Sequence, residues 1–413
     1  MHTIGVIAEY NPFHSGHGHH LRMLSQTFGP DCAVVCVMSG NWVQRGDAAL
    51  ADKWTRAELA LRQGADLILE LPTLWAVSSA ESFARGGVAL LTATGVVDTL
   101  SFGSEAGILS PLQAVADCLE SEAWRCLLRQ TLAQGLSFPV ARQRAATALL
   151  GENAQCLRHP NNNLGIEYLR ALRSLGSPLV PHTIPRLGAG HDQGQTGLSH
   201  VSASYLRERL LEEPGETSLA PHLSPQAEAR LRANPASLAF CTQGVLARLR
   251  GMEAEDFSQL PDSGEGLSHR LYDAVQSADS LPALYQLVKT KRYPLARIRR
   301  LVLWAFLGLT AQDRLDAPPY LRVLGFTAKG QNLLRQMKTT ATLPVIVKPA
   351  HGAKLPSEAR RVFALEARCT ALYDLCRREF GRVPGKNEYT QNPVRLSDST
   401  GAPVLSLFLR YFA

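Results

Sequence analysis

The sequence predicts an α/β protein, with a Rossmann-like parallel sheet in the N-terminal half and a mainly α-helical C-terminal domain. Three observations predict it. Short, uninterrupted apolar runs alternate with helically periodic segments over the first 215 residues, the pattern of parallel strands covered on both faces. The first run breaks at a turn that leads straight into a helix. Beyond about residue 226 helical periodicity takes over.

The elements follow in order. Thr3–Glu9 is an apolar strand ending at the turn Tyr10-Asn11-Pro12-Phe13, and from His17 to Phe28 the apolar residues Leu21, Leu24 and Phe28 keep helical spacing. Cys32–Met38 is a second strand, closed by Ser39-Gly40-Asn41, and Asp52–Arg62 is an amphipathic helix. Asp66–Leu71 is a third strand stopped by Pro72, Ser79–Thr94 a helix rich in small residues, and Val97–Phe102 a fourth strand ending in Gly103-Ser104. A wholly helical insert is expected over about 108–150, then a helix at Asn162–Leu175 and a fifth strand at Leu179–Ile184. A Gly-rich loop over 187–200 leads to a helix at Tyr205–Leu211 with a serine in its N-cap region, and the Pro- and Ser-rich stretch 214–225 reads as a linker. The division is therefore expected near 215/216, with 1–215 binding a nucleotide and 216–413 forming the helical, basic part. In that second part Leu267–Ser277, Leu281–Val288 and Leu295–Leu309 read as helices, and Leu321–Phe326 and Leu343–Val347 as extended pieces.

Composition narrows the class. A 413-residue chain exceeds one ordinary core, and 45% hydrophobic with 19% charged residues is the balance of a soluble globular protein. The N-terminus carries no signal-peptide pattern, and no run approaches the length of a transmembrane helix, so a cytoplasmic protein without membrane contact is expected. Eight cysteines without a CxxC pair suggest reduced, mostly buried thiols rather than disulfides or a structural zinc site. A net charge of +7 fits a polyanionic partner.

The chemistry is concentrated in His14-Ser15-Gly16-His17, at the step from first strand to first helix. In an open parallel sheet ligands sit beyond the carboxyl ends of the strands, where a helix N-terminus offers free N–H groups to phosphates. Two imidazoles one turn apart can stabilise charge developing on those phosphates, and Gly16 lets the backbone approach closely. Such an HxGH arrangement belongs to adenylyl-transferring enzymes, in which an oxyanion attacks the α-phosphate of ATP and pyrophosphate leaves. His20 is expected to face back toward the ligand more than His19. A second element, Val201-Ser202-Ala203-Ser204-Tyr205-Leu206-Arg207, has the hydroxyls of Ser202 and Ser204 and the guanidinium of Arg207 at a late helix start, suited to a triphosphate.

The residues also carry a closer likeness. VIAEYNPFHSGH, MSGNWVQRGDAALADKWTRAELAL, GADLILELP, FARGGVALL with LSFGSE, NNNLGIEYLRAL, TIPRLGAGHD and VSASYLR in the first half resemble the bacterial tRNA(Met) cytidine acetate ligase family. In the second half EGLSHRLYDAV, TKRYPLARIRRLVLWAFLGL and PPYLRVLGFTAKG do so too. The resemblance implies the HxGH nucleotidyltransferase fold and a two-step ligation. Acetate attacks ATP to give acetyl-adenylate, and the wobble cytidine of elongator tRNA(Met) then accepts the acetyl group as N4-acetylcytidine. ATP is thus the implied substrate, with Mg2+ expected beside it as is usual for ATP chemistry. The implied ATP contacts are Ile7, Ala8, Glu9, Tyr10, Asn11, Pro12, Phe13, His14, Ser15, Gly16, His17, Gly18, His19 and His20, then Gly103, Asn161 or Asn162, and Arg186. The chain has a third asparagine, Asn163, where an aliphatic residue is usual, and reads QRGDAA where the family tends to have Glu and Pro.

Asn41, Gln44, Arg45 and Lys53 follow the second strand near the same rim and are candidates for an acetate or phosphate site. Lys289, Lys291, Arg292, Arg297, Arg299 and Arg300 cluster around Tyr293 and are candidates for RNA phosphate contacts. No protein partner and no metal-ligand set are inferred. Two other readings compete: a small-molecule adenylyltransferase of cofactor biosynthesis, which has no need of a large basic second half, and a non-catalytic RNA-binding protein, which has no need of His14 and His17.

Overall fold

In the computed structural model, residues 2–186, 202–212, 218–380 and 388–396 are described. The Gly-rich loop 187–200, Val201 and part of the expected linker lie outside them. The N-terminal half runs β1 Thr3–Ala8, α1 Ser15–Phe28, β2 Ala33–Ser39, a small hairpin of β3 Trp42–Val43 and β4 Asp47–Ala48, α2 Lys53–Arg62, β5 Leu67–Leu71, the short α3 Thr73–Ala76, α4 Ala80–Ala93 and β6 Thr99–Ser104. The insert supplies α5 Leu109–Glu120, α6 Glu122–Ala133 and α7 Phe138–Leu150, followed by α8 Pro160–Ser174, β7 Val180–Pro185 and α9 Ala203–Leu211. Then come α10 Pro225–Ala233, α11 Thr242–Arg250, α12 Ala254–Ser258, α13 Leu267–Ser277, α14 Leu281–Val288, α15 Leu295–Leu307, β8 Leu321–Phe326, α16 Ala328–Thr340, β9 Val345–Ile346, α17 Ser357–Asp374 and β10 Val394–Arg395.

The sheet order is β10-β8-β5-β2-β1-β6-β7. The five strands read from the first half are parallel to one another; β1, β2, β5 and β6 are buried as such strands are when helices cover both faces, and β7 is the more exposed edge. The chain builds outward from β1 through β2 to β5, then crosses to β6 on the other side of β1. The crevice between the carboxyl ends of β1 and β6 is therefore the topological switch point, where such sheets bind ligands.

The stretch Leu321–Phe326 does not stay among the C-terminal helices. As β8 it pairs antiparallel with β5 and is fully buried, so the sheet crosses the division expected near residue 215. Its composition alone says only that it is extended. Which sheet it joins depends on contacts more than 250 residues away in sequence, such as Thr327 donating to Asp66 at 3.0 Å.

One apolar cluster lies between the sheet and α1 and α2, with Val6, Leu21, Leu24, Cys36, Met38 and Trp54. The other face carries Ile7, Val35, Val37, Leu69, Phe83, Leu100 and Tyr168 and continues into the C-terminal helices. The hairpin is clamped at this junction. Trp42 donates to the Cys369 carbonyl at 3.0 Å, and Asp47 accepts from the Leu238 N–H at 2.8 Å. Gly46, at φ +74°, lies so close to α15 that a Cβ would come within 2.6 Å of Arg299.

Candidate active site

The first helix starts two residues earlier than its apolar spacing suggests, because the histidines cap it. The His14 ring accepts from the Gly16 N–H at 3.1 Å, and the His17 Nδ1 accepts from the His14 N–H at 3.3 Å. Their rings lie 4.0 Å apart between centroids. Gly16 is needed for a local reason: a Cβ there would stand 2.9 Å from the His14 ring, which folds over that turn. Tyr10, at φ +46°, and Phe13 pack their rings on His17 at 5.0 and 5.4 Å.

Burial, reinforced by His14, His20 and the Arg186 guanidinium, holds His17 well below the ordinary histidine range, so it is neutral at pH 7. A triphosphate arriving there would meet imidazole donors, the helix N-terminus and Arg186 together. Arg186 leaves β7 with its N–H on the Ser104 carbonyl, and its side chain lies over Gly103, where a Cβ would meet it at 3.3 Å. The switch-point crevice is thus flanked by His17 on one side and by Gly103 and Arg186 on the other.

The other expected ATP residues divide by position. Ile7 is buried against Gly87 and can offer only main chain, as can Ala8 at the strand end. Glu9 accepts from the Gln44 N–H at 2.7 Å. Asn11 is buried, its Oδ1 on the Leu50 N–H at 2.8 Å, and Pro12 and Gly18 are buried as well. Ser15 donates its N–H to the His222 carbonyl at 3.0 Å. His20 bonds Ser101 of β6 at 2.9 Å, with His182 of β7 following at 3.2 Å, and burial pushes His20 down to about 4, His182 and His19 adding to it. Its ring is engaged by the sheet. In the asparagine triplet, Asn161 and Asn162 hold Glu105, just beyond β6, at 3.0 and 3.1 Å, whereas Asn163 bonds Leu157 and Arg142 on the insert side.

A second cationic group closes the site from α9. Ser202 caps that helix, accepting from the Tyr205 N–H at 3.2 Å. The Ser204 hydroxyl accepts from Arg45 at 2.8 Å and from Arg207 at 2.9 Å, and Arg207 also donates to the Asn11 carbonyl at 2.8 Å. Burial, and then the nearby Arg45, lower the Arg207 pKa, while Glu9 and Asp47 act against them.

Of the four rim candidates, Arg45 and Gln44 stay at the site; Asn41 and Lys53 do not. The Lys53 ammonium is fully buried, donating to Glu70 at 2.6 Å and to Glu388, and Glu388 also takes Arg322 at 3.1 Å. Asn41 accepts from the Lys53 N–H at 2.8 Å and reaches toward Thr370. An ammonium already neutralised by two carboxylates inside the protein cannot receive acetate or phosphate. The sequence spacing places Lys53 near the rim but not the direction of its side chain.

Arg56 was not singled out by the sequence. It is fully buried and donates to the Glu9, Ser39, Gly40 and Ala51 carbonyls, holding the ends of β1 and β2 together. A charged residue on the buried face of an amphipathic helix, beside Trp54, Ala57 and Ala60, was the available signal.

The basic stretch of the second half also divides. Lys289, Lys291 and Arg292 are exposed. Arg297 donates to the Asp262 carbonyl at 2.8 Å and lies with Arg300 and Arg314 around a small cleft floored by Trp304. Arg299 lies 5.4 Å from the Tyr285 ring centroid, on the side of the hairpin. Among the described residues no group of three or more His, Cys, Asp or Glu side chains could hold a metal ion, and no helix is long and apolar enough to cross a membrane.

Comparison with known proteins agrees along the chain. Residues 1–387 match the HIGH Nucleotidyl Transferase family. The tRNA(Met) cytidine acetate ligase of Syntrophomonas wolfei is 36% identical, covering 95% of this chain and 99% of that protein. The enzyme of the same name from Acetivibrio thermocellus is 35% identical over equal shares. A crystal structure of Thermotoga maritima TmcAL bound with alpha-thio ATP superposes with a TM-score of 0.87 at 31% identity, covering 96% of this chain and all of that one. The apo form superposes at 0.89.

Proposed function

This chain belongs to the tRNA(Met) cytidine acetate ligase family, and from that premise we propose that it joins acetate to the wobble cytidine of elongator tRNA(Met) at the expense of ATP. An acetate oxygen bonds to the α-phosphorus of ATP while the bond to the bridging oxygen breaks and pyrophosphate leaves. The cytidine N4 then attacks the acetyl carbonyl of the adenylate, AMP departs, and the amine gives up a proton. The observation that carries the reading is the His14–His17 pair at the positive end of α1, beside the switch-point crevice and facing Arg186, with Arg45, Ser204 and Arg207 across it. Such a step needs charge stabilisation and positioning more than a protein nucleophile.

ATP contacts are assigned to the β1–α1 segment, Gly103, the Asn161–Asn162 pair, Arg186, Ser202, Ser204 and Arg207. Mg2+ would come with the triphosphate and offset its charge; among the described residues no group of three or more His, Cys, Asp or Glu side chains could hold it. No step is routed through it. The protein would work in the cytoplasm, where its RNA is. We assign residues 1–215 to adenylate formation and 216–413 to the RNA, with β8 as the strand that ties the second part to the first.

Gly46 supports the RNA side: its contact with the Arg299–Arg300 backbone sets the basic helix α15 directly beside Arg45 and the adenylate site. Replacing Lys289, Lys291 and Arg292 together with glutamine should weaken tRNA binding at all sequences alike. It should also flatten the slope of log affinity against log salt by about 0.7–0.9 for each phosphate these side chains neutralise. An unchanged slope would remove these three from the interface.

The test of the whole reaction is incubation with bulk bacterial tRNA, ATP and labelled acetate, followed by nucleoside analysis. Label in N4-acetylcytidine is expected. Label nowhere in RNA, with ATP intact, would refute the reading.

A further inference from the structure

Buried polar side-chain atoms are nearly always hydrogen-bonded, so several unpartnered ones gathered in one place point to a ligand. Three such atoms belong to residues grouped about Glu9, just past the carboxyl end of β1: the Ser39 Oγ, the Gln44 Nε2 and the Tyr168 hydroxyl. Ser39 ends β2 on the face that carries Val35 and Val37, and is wholly buried. The register pairs Ala8 with Met38, so Glu9 comes level with Ser39, and both main chains are held by the one Arg56 guanidinium. The Gln44 N–H donates to the Glu9 carboxylate at 2.7 Å. Tyr168 enters this face from α8, only 2% exposed, its ring tilted against that of Phe102 at 5.7 Å, with its hydroxyl within the field of the Glu9 charge.

We infer that Ser39, Gln44 and Tyr168 form the subsite for the small carboxylic acid, their amide and hydroxyl groups holding its carboxylate while the apolar face around Val37 and Phe102 receives its methyl group. The inference rests on the acetate reading above. It also gives a reason for a short acid. Helix α8 lies so close to β6 that a Cβ at Gly165 would stand 2.7 Å from the Phe102 ring, which leaves little depth for a longer chain.

The test is acetate-dependent ATP–pyrophosphate exchange by the full chain, with Tyr168→Phe and Gln44→Leu. Tyr168→Phe removes an oxygen that has no partner, so it should fold as well as the wild type, checked by melting without ligand. Each variant is expected to raise the KM for acetate about tenfold to a hundredfold, the scale of a lost hydrogen bond to a charged group, with the KM for ATP unchanged. A folded Tyr168→Phe enzyme with unaltered KM for acetate would mean that the space holds only water, and would overturn the inference alone. Equal rises for ATP and acetate would overturn it as well. If wild-type exchange requires a phosphate ester instead of acetate, the acetate reading fails and the inference with it.

Discussion

Replacing His14 and His17 together with alanine is expected to lower adenylate formation by at least about a thousandfold, because each imidazole is a preorganised donor whose loss costs on the order of a hundredfold or more. The two rings do not act independently. They stand 4.0 Å apart and share the first turn of α1, so the double change should cost less than the product of the single ones. Both also cap the helix, and losing a cap costs about 1 kcal/mol of stability. Asparagine is a good N-cap, so His14→Asn separates the roles: it should keep the wild-type melting temperature and still be slow. If His14→Asn turns over at the wild-type rate, His14 is a cap and nothing more.

The second large effect is on stability. Lys53→Ala should cost about 3–5 kcal/mol of unfolding free energy, since it leaves Glu70 and Glu388 buried with only Arg322 to balance them. Glu366 lies in the same cluster, holding Thr73, and burial beside Glu70 already pushes it up to about 8 from an ordinary 4.5. A carboxyl with a raised folded pKa binds a proton that the unfolded chain gives up. Stability is therefore lost as pH rises from 4.5 through 8. Removing Lys53 strengthens that tendency, so the deficit of Lys53→Ala should shrink as pH falls toward about 5 in chemical denaturation. A lysine that bound acetate or phosphate would behave otherwise, with stability kept and ligand affinity lost. That result would restore Lys53 to the site.

What the sequence could reveal follows from the range of the interactions involved. His14 to His17 is legible because strand, turn, caps and helix are consecutive, and their geometry depends on neighbours within a few residues. The five parallel strands are legible for the same reason, each being a short apolar run between helices. The partnership of β8 with β5 is not, because a short apolar run does not specify a partner strand. Neither is the fate of Lys53: its enclosure depends on Glu388, 335 residues away, and no local pattern distinguishes a lysine facing the rim from one facing inward. Tyr168 stayed hidden because a tyrosine in an apolar helix reads as core, and only the absence of a partner for its hydroxyl sets it apart.

In this mechanism the histidine pair holds a triphosphate while a carboxylate displaces its pyrophosphate, before any RNA is involved. Exchange of labelled pyrophosphate into ATP by the wild-type protein, without tRNA, measures that step alone. Exchange that appears on adding acetate and vanishes in the His14→Ala/His17→Ala protein is the predicted result. Exchange that ignores acetate, or that survives loss of both histidines, would contradict the account.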